Sequence, residues 1–545
     1  MKLKFYPFIL MLLCSISTLA QAPDWGWTKS VKGKDVDQSI RMTTDATGNI
    51  YFTGYFYRDT ITFGNTTLIN YGEGDAYVVK YTPNGNVLWA KNAIGYNCDM
   101  GKGIASDAAG NIYLTGDFCP GPITFGNITL DNTGNWDIFI VKYDSSGNVL
   151  WAKSAEGNNE DRSACITTDA TGNVYLTGSF LSKTLTFDNT ILTRTGQLDV
   201  FITKYDANGN VLWAKDAASN RDRKGTGITS DAMGNIYLIG NYYYDTITFG
   251  NIALTNTGQW DIFITKYDSN GNVLWAKSVG GCSSDEGTSI TTDKTGNVYI
   301  TGNFDSPTLT LGNITLTNSG FENIFIAKYD ANSNVLWAKK AGGSLCDKSY
   351  GITTDTAGNI YLTGVFESPK ISFGNITLTK IDGYDIFIVK YAPNGNVLWA
   401  KSVGGDGRDE GTSITTDKTG NVYITGNFDS PTLSFDNTTL VNTGMADIFI
   451  AQLNTSSNTI PEYPSESKIS IYPNPADDEL TITLPTYSAV NHTTLELFDI
   501  YGNLLKNVTV TGNTTTVDIS GYPAGVYVVR FMNNEGVVAK RIVKR

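Results

Sequence analysis

"NGNVLWAK" occupies residues 84–91, and close copies of it recur along the chain. Its tryptophan returns at Trp89, Trp151, Trp213, Trp275, Trp337 and Trp399, always 62 residues apart. A fixed period of this size marks a repeat architecture and outranks local propensity in deciding the fold. Two more phrases keep the same period. "TTDATGNIY" at 43–51 has seven versions, and "DIFIVKY" at 137–143 has seven, from "DAYVVKY" at 75 to "DIFIAQL" at 447.

The tryptophan phrase is offset from the other two. "WGWTKS" at 25–30 puts Trp27 62 residues before Trp89, and no tryptophan strand follows "DIFIAQL". The seventh copy therefore stands at the beginning. Each unit predicts four strands, typified by "GTSITTD", "NVYLTG", "DIFIVKYD" and "NVLWAK". A small extra hairpin between the second and third turns at Gly-Asn. The D-x-x-G-N turns (Asp45 with Gly48, Asp107 with Gly110, Asp169 with Gly172) use glycine for positive φ and aspartate to accept backbone N–H groups.

Strands apolar on both faces suit sheets packed between neighbours, and four-stranded units repeated radially make a β-propeller. The fold expected is all-β: a seven-bladed propeller of 62-residue repeats in which the strand around Trp27 closes the last blade. An open solenoid would need caps and gains nothing from the offset. Residues 24–457 resemble the SBBP β-propeller repeats, through "NVYLTGSF", "DIFIVKYD" and "GNVLWAK". That resemblance implies export from a bacterium and assigns no defined activity.

Composition agrees. The chain has 545 residues, 41% hydrophobic and 12% aromatic, with 56 glycines. The net charge of −13 and the lack of a long basic run argue against a nucleic-acid partner. Lys2, Lys4, the apolar stretch Phe5 to Leu13 and small residues to Ala20 read as a signal peptide over 1–20. Cys14 sits inside the apolar stretch without a small-residue lipobox, which disfavours a lipoprotein. No later segment has the ~20 apolar residues of a transmembrane helix. The propeller spans 23–453 and is expected to be monomeric.

A polar linker follows at 454–468, and from 469 to 545 a different pattern of alternating strands predicts a small Ig-like β-sandwich. This tail resembles the C-terminal sorting domain of type IX (Por) secretion in Bacteroidetes. The resemblance is carried by Pro473-Asn474-Pro475, Asp499 with Gly502, Gly525-Val526-Tyr527 and the basic end from Lys540 through Lys544 to Arg545. It implies a partner, the type IX machinery, and a secreted or extracellular protein, released or anchored at the outer-membrane surface after tail processing.

Little chemistry is on offer. The single histidine, His492, lies in the tail, so the propeller has neither a Ser-His-Asp nor a His-metal arrangement. A second aspartate series, Asp37, Asp99, Asp161, Asp285, Asp347 and Asp409, precedes the turn aspartates by eight residues, with Arg223 in the fourth unit. Two readings stand open for it: a ring holding Ca²⁺, another hard cation or a basic ligand, or one loop cap per blade. No other cofactor is expected. Catalysis by paired carboxylates needs unlike groups with unlike pKa values, whereas "DEGTSITTDKTGNVYITGNFDSPTL" occurs unchanged at 285–309 and 409–433.

The variable entry loops and extra hairpins share one face, where recognition usually resides. Tyr242 to Tyr244, Trp136 and Trp260 are candidates there for stacking on sugar rings. Cys98 and Cys119 map to the same face and are candidates for a disulfide, although five cysteines remain after the signal peptide. The function expected is a non-catalytic binding or adhesion module for a glycan or protein. The alternatives are a structural surface-layer component and a carboxylate-dependent hydrolase or lyase.

Overall fold

A computed structural model describes residues 22–217, 221–454, 470–483, 494–499, 504–510, 512–533 and 536–545. The signal segment 1–20 with Cys14, the linker beyond Asn454, His492 and Gly502 lie outside the described residues. The chain divides into two units, Met1–Asn454 and Thr455–Arg545.

In the first unit the sheets follow the repeat. Blade 1 pairs Asp37–Thr44, Ile50–Tyr57, Gly74–Tyr81 and Val87–Asn92 in that order, all antiparallel. Five more blades repeat this order. Blade 7 has only three strands from its own stretch: Asp409–Thr416, Val422–Phe428 and Asp447–Leu453. Its fourth is Trp25–Val31 from the N-terminus, antiparallel to Asp447–Leu453 with Thr28 opposite Ala451. The first strands of successive blades pack against one another all the way round, and Asp37–Thr44 meets Asp409–Thr416.

The second and third strands are buried along almost their whole length, as their continuous apolar runs require. Each hydrophobic cluster joins two neighbours: Phe52, Tyr77 and Val79 of blade 1 pack with Tyr423, Ile448 and Ile450 of blade 7. Burying such a side chain contributes about 1.5–3 kcal/mol, so no blade completes its core alone.

The opening phrase acts across these interfaces. Trp27 Nε1 of blade 7 donates to Pro83 O in the blade 1 turn, and Trp89 Nε1 of blade 1 donates to Ser145 O of blade 2. Four more tryptophans repeat the contact. The indole also lies on the turn glycine: a Cβ on Gly85, at φ +76°, would stand 2.8 Å from Trp27. The glycine and the tryptophan of one phrase thus serve two different interfaces.

At the axis, seven hydroxyls close a circle. Thr44 Oγ1 donates to Thr416 O, Ser106 Oγ to Thr44 O, Thr168 Oγ1 to Ser106 O and Ser230 Oγ to Thr168 O. Thr292, Thr354 and Thr416 complete it, each donating to the blade before. All seven bonds are 2.8–3.0 Å long.

The second unit has two sheets. Ser470–Tyr472, Glu479–Thr483 and Thr514–Asp518 form one; Leu504–Thr509, Thr494–Phe498, Gly525–Asn533 and Gly536–Lys544 form the other. Leu480, Ile482, Leu495, Leu497, Val529 and Ile542 fill the space between them. Among the described residues no helix is long and apolar enough to cross a membrane.

Candidate functional site

Every first strand carries a β-bulge at the same place, between Ser39 and Arg41 in blade 1 and between Gly225 and Gly227 in blade 4. A bulge bends its strand and re-aims the extra residue. Six of the seven bulged residues, Ile40, Ala164, Thr226, Thr288, Tyr350 and Thr412, line one cavity of about 760 Å³ at the channel mouth. The bulge needs glycine opposite it: a Cβ on Gly54 would fall 1.8 Å from Gln38 O.

The mouth does not share the sevenfold pattern of the scaffold. One residue beyond the bulge, blade 1 has Arg41 where the other blades have glycine, cysteine or serine. Its Nη2 crosses to blade 4 and donates to Thr226 O at 3.3 Å. That is its single hydrogen bond among the described residues, so most of its N–H groups are left for the cavity it lines.

Around it the charges are ordered by blade. Arg162 lies over the Trp136 ring, with Cζ 3.6 Å from the centroid. It pairs with Glu160 at 2.5 Å and with the buried Asp117 at 3.6 Å. Lys224 sits 5.4 Å from the Trp260 centroid and Arg408 5.2 Å from Tyr384. Arg408 also holds Glu410 at 2.5 Å, and Lys348 holds Glu322 at 3.1 Å. Trp136 and Trp260 thus carry cations on their faces, a use of the rings beyond hairpin packing. Tyr244 is exposed, and Tyr243 meets it edge to face at 4.5 Å and lies tilted against Trp260 at 5.0 Å. Tyr242 departs from expectation. It is buried within the strand Ile236–Tyr243 and bonded to Ser278 Oγ, whereas Tyr244 lies past the strand end.

The second aspartate series stays out of the mouth cavity. Asp37, Asp99, Asp161, Asp285, Asp347 and Asp409 are at most 2% exposed and turn into the loops between blades. Asp161 accepts from the backbone N–H groups of Leu181 and Ser182 and from Ser182 Oγ. Asp285, Asp347 and Asp409 take the same serine bond. Burial pushes Asp285 and Asp409 up to about 6. Burial and the neighbouring carboxylates push Asp37 and Asp99 up to about 8. Arg223 is fully buried and bonds Asp199 Oδ1 at 2.9 Å. Among the described residues no three His, Cys, Asp or Glu side chains gather as a metal site.

The turn aspartates are caps. Asp45 accepts from Thr47 N, Thr47 Oγ1, Asn49 N, Asn49 Nδ2 and Tyr51 Oη, and these bonds hold its carboxyl below the usual range. Gly48, Gly110 and Gly172 have φ of 84°, 81° and 83°. Cys98 and Cys119 are free thiols, joined through the Cys119 N–H to Cys98 O bond at 3.1 Å. Burial pushes the Cys119 thiol up to about 11.

In the tail the motif residues are structural. Asn474 Oδ1 accepts the Val543 N–H at 2.9 Å, beside Pro473 and Pro475. Tyr527 Oη bonds Pro523 O at 2.6 Å, next to Gly525 at the start of its strand. Lys544 is buried and donates to the carbonyls of Ile519, Ser520 and Tyr522. The basic end thus includes an internal clamp, which spacing alone does not reveal. The Lys540 side chain lies outside the described set.

The fold and its mouth define a β-propeller. Residues 275–303, 336–365 and 398–427 match the model of the β-propeller repeat called SBBP, and residues 470–545 match the secretion system C-terminal sorting domain. The chain is therefore an SBBP-repeat propeller carrying a type IX sorting tail, which marks it for export to the cell surface or beyond. It is similar to an uncharacterized WD repeat-containing protein of Acanthamoeba polyphaga mimivirus, 25% identical over 85% of this chain. This chain spans 41% of that relative's length. An endo-acting ulvan lyase of Formosa agariphila is 36% identical over 81 residues, 14% of this chain and 15% of the lyase. Among solved structures, a mutant Synechocystis apocarotenoid oxygenase aligns with TM-score 0.38 and 10% identity, over 78% of this chain and 94% of its own.

Proposed function

We propose that the protein is a non-catalytic binding module displayed at or beyond the cell surface, and that its ligand, a glycan or a protein segment, docks in the mouth of the channel. The observation that carries this reading is Arg41. A nearly symmetric scaffold places the Arg41 guanidinium, which has no ion pair among the described residues and bonds only Thr226 O there, in the lining of a cavity of about 760 Å³. Guanidinium forks match carboxylate and sulfate oxygens, and the rings of Trp136 and Trp260 stand near the rim. Acidic saccharides suit that combination best.

Ion pairing supports a role in binding over one in catalysis. Glu160 and Glu410, which line the mouth, are each engaged in an ion pair with an arginine, Arg162 and Arg408, so the carboxylates there are committed to ordering charge across a binding surface. The test is an array of neutral, carboxylated and sulfated oligosaccharides probed with the mature protein. Saturable binding to acidic members, weakened at least ~10-fold (about 1.4 kcal/mol) by Arg41→Ala, is expected. Silence across the array, followed by silence toward surface proteins, would favour a purely structural role.

A further inference from the structure

At each blade interface the residue opening a first strand meets the residue opening the third strand of the preceding blade. At the interface of blades 3 and 4 this is a cation against an anion: Arg223 Nη2 bonds Asp199 Oδ1 at 2.9 Å, and Nη1 bonds Ala217 O. Elsewhere the incoming residue is aspartate. In blades 3, 5, 6 and 7 a serine hydroxyl answers it. Blades 1 and 2 have Arg58 and Pro120 in the serine's place.

Only at the two interfaces that flank blade 1 do both facing carboxylates keep an unpartnered oxygen among the described residues; Asp261 Oδ1 and Asp385 Oδ1, of the same third-strand series, lack a partner singly. Asp37 Oδ2 and Asp99 Oδ2 are buried with no hydrogen-bond partner among the described residues. So are Asp447 Oδ1 and Asp75 Oδ1, the counterparts of the Asp199 oxygen that takes Arg223. These four side chains are 0–2% exposed. Unpaired buried carboxylate oxygens are costly, and such groups in proteins are paired or coordinate metals. The chain's own solution at the equivalent point is a positive charge.

We infer that a calcium-type cation sits between Asp37 and Asp447 and a second between Asp99 and Asp75. The carbonyls of Val31 and Ala93, which stand in the repeat where Ala217 does, complete each donor set with water. Oxygen-only donors suit a hard cation. Two carboxylates per site fit the Kd range of about 10⁻⁴–10⁻³ M found in extracellular modules. The first cation would bind beside the closing strand Trp25–Val31, where the ring is joined, and the second between blades 1 and 2. This goes beyond the proposed ligand site and does not depend on it.

The test uses the full mature protein, stripped with chelator and titrated with CaCl₂. Two calcium ions per chain by elemental analysis, and a melting temperature several degrees higher in calcium than in chelator, are expected. Asp99→Arg should reproduce the Arg223 arrangement: one calcium per chain, and in chelator a melting temperature at or above that of the wild type. No bound calcium together with equal melting temperatures in calcium and chelator would overturn the inference and assign protons to the orphan oxygens. Should Asp99→Arg fail to fold, the calcium stoichiometry and melting shift of the unaltered protein still decide.

Discussion

Trp27 Nε1 donates to the carbonyl of Pro83 at 3.0 Å. The two residues belong to blade 7 and blade 1, and the bond joins the beginning of the repeat domain to its first complete blade. The same bond links Trp89 to Ser145 and Trp151 to Ala207 between blades that follow one another in sequence. Closure therefore uses the same chemistry as every other interface. Trp27→Ala removes that bond and a half-buried indole, and should cost about 2–3 kcal/mol. Trp27→Phe should cost about 1 kcal/mol less, as read from denaturant midpoints.

Deleting residues 23–31 removes the whole outer strand of blade 7 and leaves Asp447–Leu453 as an open edge. The truncated protein should lose cooperative unfolding and aggregate through that edge. A melting curve that superimposes on the wild type would contradict the closure.

The axial hydroxyl circle is tested by Thr354→Val, which leaves Thr292 O without its donor. A loss of about 1–2 kcal/mol is expected for one position. Thr354→Ser, which keeps the hydroxyl, should recover most of it.

Stability should depend on pH in two opposite senses. Asp285, Asp385 and Asp409 have folded values raised from 3.8 to about 6. The folded state binds protons more tightly at these groups, so stability falls as pH rises from about 4 through about 6. Asp45, Asp169 and Asp293 are lowered by their hydrogen bonds. Their contribution is present above the unfolded value near 3.8 and is lost as pH falls through the lower folded values. Melting temperature measured in chelator should therefore peak at about pH 4, between the two sets of folded values, and decline on both sides.

In the tail, Lys544→Ala leaves three carbonyls without a buried donor. It should destabilise the sorting domain by about 2–4 kcal/mol. Export of the whole protein should fall with it, measured as the fraction reaching the cell surface.

The spacing of seven tryptophans carried the blade number and the displaced closing strand, because one indole per interface is a packing requirement visible as period. The turn aspartates were legible for the same reason: the side-chain hydrogen bonds that Asp45 accepts come from residues within six positions. The mouth was harder to read. Arg41 stands out only once the repeats are aligned and the bulge is known, since the bulge decides that residue 40 faces the cavity. The aspartates at Asp37 and Asp99 were visible, but their partners Asp447 and Asp75 open a different phrase, and their meeting is a tertiary fact. Lys544 looked like part of a basic address because composition cannot tell which face of a strand is inside.

The most direct measurement is a binding isotherm for the tightest acidic oligosaccharide on the wild-type protein and on Arg41→Ala, with both melting curves in hand. The account expects saturable wild-type binding that weakens with salt, and at least ~10-fold weaker binding by a variant that melts like the wild type. Equal affinity for the two proteins would contradict the channel mouth as the ligand site.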